Sequence, residues 1–178
     1  TSLVYFFNQF KAKIYRSEKV DTHGGSIRVY VKKDQRVKIE SSVKKMLLEE
    51  EKYGIKDFKT YQKFGEKVYK IRENVLANIK KLKDKNETII GYGAPAKATT
   101  ALNFFGVSEE IDFIVEDNKL KHNKFIPGVK IPIKNKSKIK SKNNVLLVLA
   151  WNFYDDIKKN NLNLSDNFVN IKELESNN

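Results

Sequence analysis

The sequence contains no cysteine, only three prolines, and no apolar run close to the roughly 20 residues that a membrane-spanning helix needs. Without cysteine the chain can form neither a disulfide framework nor a zinc–thiolate site. The only two histidines, His23 and His122, are far apart in the sequence, so we expect no metal site in this chain. These absences predict a cytoplasmic globular protein without a membrane segment.

Arginine is also scarce, although the net charge is +13. Only four of the 35 basic residues are arginine, and the lysines are spread along predicted helices and loops. Base-edge recognition and phosphate forks favour the guanidinium group. The composition therefore favours solvated lysine faces and no nucleic-acid partner, and a positive field would help to attract a diphosphate substrate.

The first 35 residues predict a short helix followed by a hairpin. Residues 2–10 have a helical apolar pattern, and β-rich runs at 13–20 and 26–33 flank a turn that contains Gly24 and Gly25. This helix and hairpin have no sheet of their own to pack on. We therefore predict that residues 1–35 are the tail of a preceding domain, in agreement with a chain that begins with Thr1 and not with methionine.

Residues 36–178 predict a Rossmann-like domain with a helical lead-in at 37–85. Apolar residues at steps of three and four predict helices over 37–53 and 58–82. Strands and helices then alternate: strands are predicted over 88–92, 111–115, 145–150 and 168–171, and helices over 95–105 and 154–159. The main strands are continuous apolar runs, which are typical of parallel strands buried on both faces. The fold class is α/β, with a doubly wound, mainly parallel sheet.

A glycine turn connects the first of these strands to its helix. Gly91, Gly93 and Ala96 fit the G-x-G-x-x-A pattern, in which missing side chains let a phosphate approach the backbone and the helix N-terminus. Asp117 ends the next strand, close to where a ribose-binding acid belongs. The alternative is that the glycines only shape a tight turn. The predicted nucleotide-binding residues are Gly91, Tyr92, Gly93, Ala94, Ala96, Lys97 and Asp117.

Trp151 and Asn152 follow the strand predicted over 145–150, at the end where open α/β sheets bind their ligands. The indole could stack on a base and the amide could bind a sugar or phosphate, which makes both residues predicted substrate-binding residues. A core position for Trp151 agrees equally well with the pattern. Residues 125–128 predict a turn, for which a ligand lid is an alternative interpretation.

His23 is the predicted catalytic residue. An imidazole can accept a proton at neutral pH, and the two glycines that follow it allow a ligand to approach. The alternative is an ordinary surface residue in a turn. His122 has no companion and is predicted to be solvated.

These segments, in this order, resemble the S-adenosylmethionine-dependent sugar C-methyltransferases, and the match covers nearly the whole chain. The matching segments are Thr22-His23-Gly24-Gly25-Ser26-Ile27-Arg28-Val29-Tyr30, Gly91-Tyr92-Gly93-Ala94-Pro95-Ala96-Lys97, Asp117-Asn118, Phe125-Ile126-Pro127-Gly128 and Leu149-Ala150-Trp151-Asn152.

The resemblance implies that separate domains bind the methyl donor and the sugar substrate. Such enzymes combine a zinc-binding N-terminal segment, a methyl-donor domain and a C-terminal Rossmann-like domain that helps to bind a nucleoside-diphosphate sugar. Residues 1–35 would then end the methyl-donor domain. S-adenosylmethionine would be bound upstream, zinc could be present only in the N-terminal segment, and this chain alone would be catalytically silent.

By the same resemblance, His23 matches the base that removes a proton beside a sugar ketone. Members that act on deoxysugars carry Glu and Tyr where this chain has Thr22 and Val20. Two other functions remain open at this point. A nicotinamide-dependent oxidoreductase shares the glycine fingerprint but needs a substrate domain, and a basic nucleic-acid-binding module would use the lysines.

Overall fold

The computed structural model describes residues 1–22, 24–85 and 87–176. The chain forms two compact units, Thr1–Glu66 and Lys67–Asn178. Helix α3, Phe58–Asp84, begins in the first unit and continues in the second. Within the described ranges, no helix combines the length and apolarity needed to cross a bilayer.

The first unit is a hairpin packed against helices. Helix α1 (Ser2–Asn8) precedes strands β1 (Lys13–Val20) and β2 (Ser26–Lys32), which pair antiparallel, and helix α2 (Ser41–Tyr53) packs on β1. The helix predicted from residue 37 therefore starts four residues later. The reason is that the Glu40 N–H donates to the Tyr15 carbonyl and extends the chain along the hairpin.

The second unit contains five parallel strands in the order β5-β4-β3-β6-β7. This topology confirms the predicted Rossmann-like fold. Strand β5 was not predicted, because two residues are too short to give a period-two pattern. The strands are β3 (Ile89–Tyr92), β4 (Phe113–Val115), β5 (Ile133–Lys134), β6 (Val145–Val148) and β7 (Asn167–Asn170).

Helices cover both faces of this sheet. Helix α4 (Ala96–Phe105) and the second half of α3 pack on the face that includes Ile89. Helix α5 (Tyr154–Asn160) packs on the face that includes Ile90 and Tyr92. Since β3, β6 and the end of β4 are fully buried, the continuous apolar runs of the sequence are explained by burial from two sides.

The strand order reverses at β3. From β3 the chain moves outward to β4 and β5, and then returns to place β6 and β7 on the other side. The loops that follow β3 and β6 therefore leave the sheet in divergent directions. In open α/β sheets this reversal creates a crevice at the carboxyl ends of the strands, where ligands bind.

Candidate functional site

The glycine turn and the loop after β6 meet at this crevice. Gly93 has a φ of +87°, and a Cβ atom built on it would lie 2.9 Å from the Cβ of Ala150. Its N–H donates to the Val115 carbonyl at 2.8 Å, which fixes the turn against the end of β4. Only glycine combines this backbone conformation with so close a neighbour. The structure thus brings the predicted turn beside the predicted Trp151–Asn152 pair.

Gly91 and Tyr92 lie within β3 and below the crevice. A Cβ atom on Gly91 would lie 2.6 Å from Ile114 Cγ1 and 3.0 Å from Leu149 Cδ1, so this glycine is required by packing inside the sheet. Tyr92 is 3% exposed. Of the predicted binding segment, Ala96 and Lys97 are exposed, Gly93 and Ala94 are buried within the turn, and Gly91 and Tyr92 support it from the strand.

A carboxylate that the sequence did not indicate occupies one side of the turn. Glu116 Oε2 accepts the Ala94 N–H at 2.8 Å, and Lys121 Nζ donates to the Ala94 carbonyl at 2.9 Å. Burial alone would raise the pKa of Glu116, but the N–H groups of Asn118 and Ala94 and the Lys121 ammonium outweigh it and lower that pKa. Glu116 is therefore ionised at neutral pH and holds the amide that a phosphate could otherwise use.

Asp117 lies on the opposite face of the sheet and belongs to a polar network. Tyr92 Oη donates to Asp117 Oδ2 at 2.8 Å, and Lys136 Nζ lies 2.6 Å from Asp117 Oδ1. Lys136 also donates to Asn161 Oδ1 at 3.1 Å. Burial would raise the pKa of Asp117, but Lys136 and Tyr92 lower it overall. Burial would likewise lower the pKa of Lys136, but Asp117 and Tyr92 raise it.

This network predicts a specific acid dependence. A carboxylate with a lowered pKa stabilises the fold above its unfolded pKa of about 3.9, and that stability is lost as pH falls through the folded pKa. Asp117→Asn should therefore lower the melting temperature at pH 7. The free energy of unfolding should fall by at most about 1 kcal/mol, because the side chain of Asp117 is 62% exposed and solvent screens its ion pair. The difference in melting temperature between Asp117→Asn and the wild type should become smaller below about pH 4.

Thermal unfolding between pH 7 and pH 3 measures this effect. Asp166→Asn is the matched control, because Asp166 pairs with Lys142 at 3.3 Å and is 79% exposed. If the melting temperature of Asp117→Asn is lower than that of the wild type by the same amount at every pH, the stabilisation by Asp117 does not come from its charge.

Trp151 lies in a short 3₁₀ turn, Trp151–Phe153, immediately after the loop that touches Gly93. The indole is partly buried against the core. Lys97 Nζ lies 5.7 Å and Lys172 Nζ 6.0 Å from the centroid of this ring, which is within the range of cation–π attraction. Asn152 is exposed beside it. Lys97, Trp151 and Asn152 thus share one rim, and their predicted role in binding stays a prediction.

Lys172 is a member of this group that no sequence signal indicated. It lies in the 3₁₀ turn Ile171–Glu175 that follows β7, and this turn is fixed by a capping box between Asn170 and Glu173. Sequence reasoning could have found it only by noting that the end of β7 returns to the same edge of the sheet as the end of β6.

His23 lies outside the described residues. Its neighbours Gly24 and Gly25 have φ values of +86° and +109°, and a Thr22 hydroxyl hydrogen bond to Ser26 Oγ at 3.2 Å spans the turn. The predicted role of His23 as a base stays a prediction. His122, predicted to be solvated, instead donates from Nε2 to the Glu116 carbonyl at 2.7 Å.

Residues 125–128 are held away from the crevice. Ile126 is 1% exposed, and the Asn103 side-chain amide donates to the Pro127 carbonyl at 2.9 Å. Asn103 is in the last turn of α4, which leads to the amino end of β4. Gly128, with a φ of +83°, packs directly on Asn103. The predicted turn is confirmed, and its contacts make it part of the scaffold and not a lid.

A doubly wound sheet with a glycine turn and an aromatic side chain near the point where its strand order reverses is the architecture of a Rossmann-like domain. The model of the C-methyltransferase C-terminal domain family matches residues 21–170, and the chain belongs to that family.

A curated relative agrees with this assignment. The chain is 30% identical over 171 residues to the C-methyltransferase NovU of Streptomyces niveus. The alignment covers 93% of this chain and 40% of NovU. The chain therefore spans less than half the length of this relative, and the oxidoreductase and nucleic-acid alternatives are not favoured.

Proposed function

We propose that this chain is the substrate-binding part of an S-adenosylmethionine-dependent C-methyltransferase that acts on a nucleoside-diphosphate keto-sugar. The observation that carries the proposal is the close packing of the Gly93 turn on Ala150 at the strand reversal, with Lys97 and Trp151 on the adjoining rim. A backbone turn that is free of side chains, a cation and an aromatic face are the groups that a nucleoside diphosphate requires.

Each rim residue has a distinct part in this proposal. Lys97, in the first turn of α4, supplies positive charge where the helix N-terminus also favours anions. The Trp151 ring offers a face on which a base or sugar can stack. The exposed Asn152 amide can both donate and accept hydrogen bonds. Asp117 lies outside this rim, on the opposite face of the sheet, and its carboxylate, held by Tyr92 and Lys136, would accept a hydrogen bond from a sugar hydroxyl.

The methyl donor is assigned to the remainder of the protein. S-adenosylmethionine, when bound, supplies an electrophilic methyl group on sulfur. The matching family is a C-terminal domain and NovU is more than twice as long as the aligned segment, which supports donor binding in a preceding domain. Zinc, if present, would belong to a segment further upstream.

Residues 1–35 are proposed to complete that donor domain. Several large apolar side chains of α1 and β2 remain exposed in this chain, including Tyr5 at 72% and Ile27 at 50%. Burial of such side chains is worth about 1.5–3 kcal/mol each. A preceding domain that packs on this hairpin would recover that free energy.

His23 is proposed as the base. Its imidazole would take the proton from the carbon beside the sugar ketone, and the resulting enolate carbon would form a bond to the methyl carbon while the bond from methyl carbon to sulfur breaks. Thr22 replaces the carboxylate found in deoxysugar-specific relatives, so His23 would act without that neighbouring charge.

Calorimetric titration with dTDP, UDP and GDP tests the substrate-binding proposal on this chain. We expect saturable heat with at least one of the three. Absence of heat with all three, in protein that unfolds cooperatively, would refute nucleotide-sugar binding. A fluorescence change with NADPH would instead revive the oxidoreductase alternative, and a DNA gel shift that survives about 0.2 M salt would revive the nucleic-acid alternative.

A further inference from the structure

The glycine turn presents a negative charge on one side. The Ala94 N–H donates to the Glu116 carboxylate, which lies 3.4 Å from the Lys121 ammonium. The side chain of Glu116 is only 13% exposed, so its charge is poorly screened by solvent. A phosphate placed on the Ala94 amide would have to displace this carboxylate or lie against it. Both arrangements are unfavourable for an anion.

The other side of the turn carries positive charge. Lys97 from α4 and Lys172 from the 3₁₀ turn after β7 both reach the ring of Trp151, at 5.7 and 6.0 Å from its centroid. Both lysines are exposed, and neither forms an ion pair within the part of the chain that the structure describes. Two ammonium groups that reach one ring and are not engaged by a carboxylate of the described residues are suited to a doubly charged anion.

We infer that the diphosphate lies beside Trp151, between the ammonium groups of Lys97 and Lys172 and not on the Ala94 amide, which makes Lys172 a second phosphate-binding residue. The inference rests on the proposed nucleotide-sugar site. A sugar-linked diphosphate carries two negative charges, which match the two ammonium groups.

The test uses Lys172→Gln and Lys97→Gln in the whole chain, titrated with whichever of dTDP, UDP and GDP binds the wild type. Each variant should weaken binding about 10- to 150-fold, because it removes a charge-assisted hydrogen bond that contributes about 1.5–3 kcal/mol. The difference in affinity between each variant and the wild type should become smaller as the salt concentration rises from 50 to 200 mM. Lys172→Arg, which keeps the charge, should stay within about threefold of wild type.

Two further variants separate this inference from its alternatives. Lys80→Gln, on the exposed face of α3, is the matched lysine control and should bind as the wild type does. Glu116→Gln should change the affinity less than about threefold, whereas a phosphate on the Ala94 amide would bind about tenfold more tightly once the charge is removed.

The outcomes are distinguishable. Folded Lys172→Gln that binds the nucleotide as tightly as the wild type would overturn the inference, and so would a large gain in nucleotide affinity in Glu116→Gln. In both cases nucleotide binding by the wild type would still uphold the proposed function. A lower melting temperature with unchanged affinity would mean that Lys172 only packs on Trp151, and this also overturns the inference. A wild-type chain that binds none of the three diphosphates removes the proposed function itself.

Discussion

Replacing His23, the proposed base, with alanine in the full-length protein should lower the rate of the proposed methyl transfer by about two to four orders of magnitude. That factor is the usual contribution of a positioned general base. The affinity for the nucleoside diphosphate should stay nearly unchanged, because the proposed diphosphate site is built from residues of the second unit. Exchange of the proton beside the sugar ketone, followed in deuterated water, should fall together with methyl transfer.

Thr22→Ala is the control for this experiment. It changes the same turn, whose Thr22 hydroxyl contacts Ser26 Oγ at 3.2 Å, but leaves the imidazole in place. Its effect on exchange should be much smaller than that of His23→Ala. A folded His23→Ala enzyme with wild-type exchange and methylation would rule out the base assignment. A lower melting temperature alone would assign His23 a role in shaping the turn.

Gly93→Ala should lower the free energy of unfolding by about 2–5 kcal/mol and abolish or strongly weaken nucleotide binding. Two terms contribute. Alanine at a φ of +87° costs about 1–2 kcal/mol, and a Cβ atom 2.9 Å from the Cβ of Ala150 forces the two loops apart, at about 1–3 kcal/mol. Since the crevice is formed by these same two loops, separating them also changes the proposed ligand site.

The double variant Gly93→Ala/Ala150→Gly separates the two terms. Removing the Ala150 side chain relieves the contact but leaves the backbone strain, so the double variant should recover part of the stability that Gly93→Ala loses. Denaturant unfolding measures the stabilities, and titration with the nucleoside diphosphate measures the binding. A double variant no more stable than Gly93→Ala would show that contact with Ala150 is not a source of the loss.

The main strands and the glycine turn could be predicted from local pattern. Strands β3 and β6 are buried on both faces and therefore give continuous apolar runs in the sequence. Gly93 can be recognised by its position between a strand and a helix. Family membership could be inferred because several short motifs occur in one fixed order. Each of these signals depends on residues that are close together in the chain.

What could not be predicted depends on contacts between distant residues. Glu116 and Asp117 are adjacent, and only the alternation of side chains along β4 decides that Glu116 reaches the glycine turn while Asp117 reaches Tyr92. Lys172 joins Trp151 because β7 pairs with β6, which no local pattern reveals. The predicted ribose-binding acid was therefore chosen without knowing which of the two carboxylates faces α4.

The contacts of the Tyr92 hydroxyl limit how loops could be exchanged between relatives to change substrate preference. It contacts Asp117 and Lys136 directly and lies 3.4 Å from Asn161 Oδ1, so three segments far apart in the sequence converge on one atom. A graft that replaces any one of these segments would leave the other two with a mismatched partner. Chimaeras on this side of the sheet should therefore transfer all three segments together with the tyrosine.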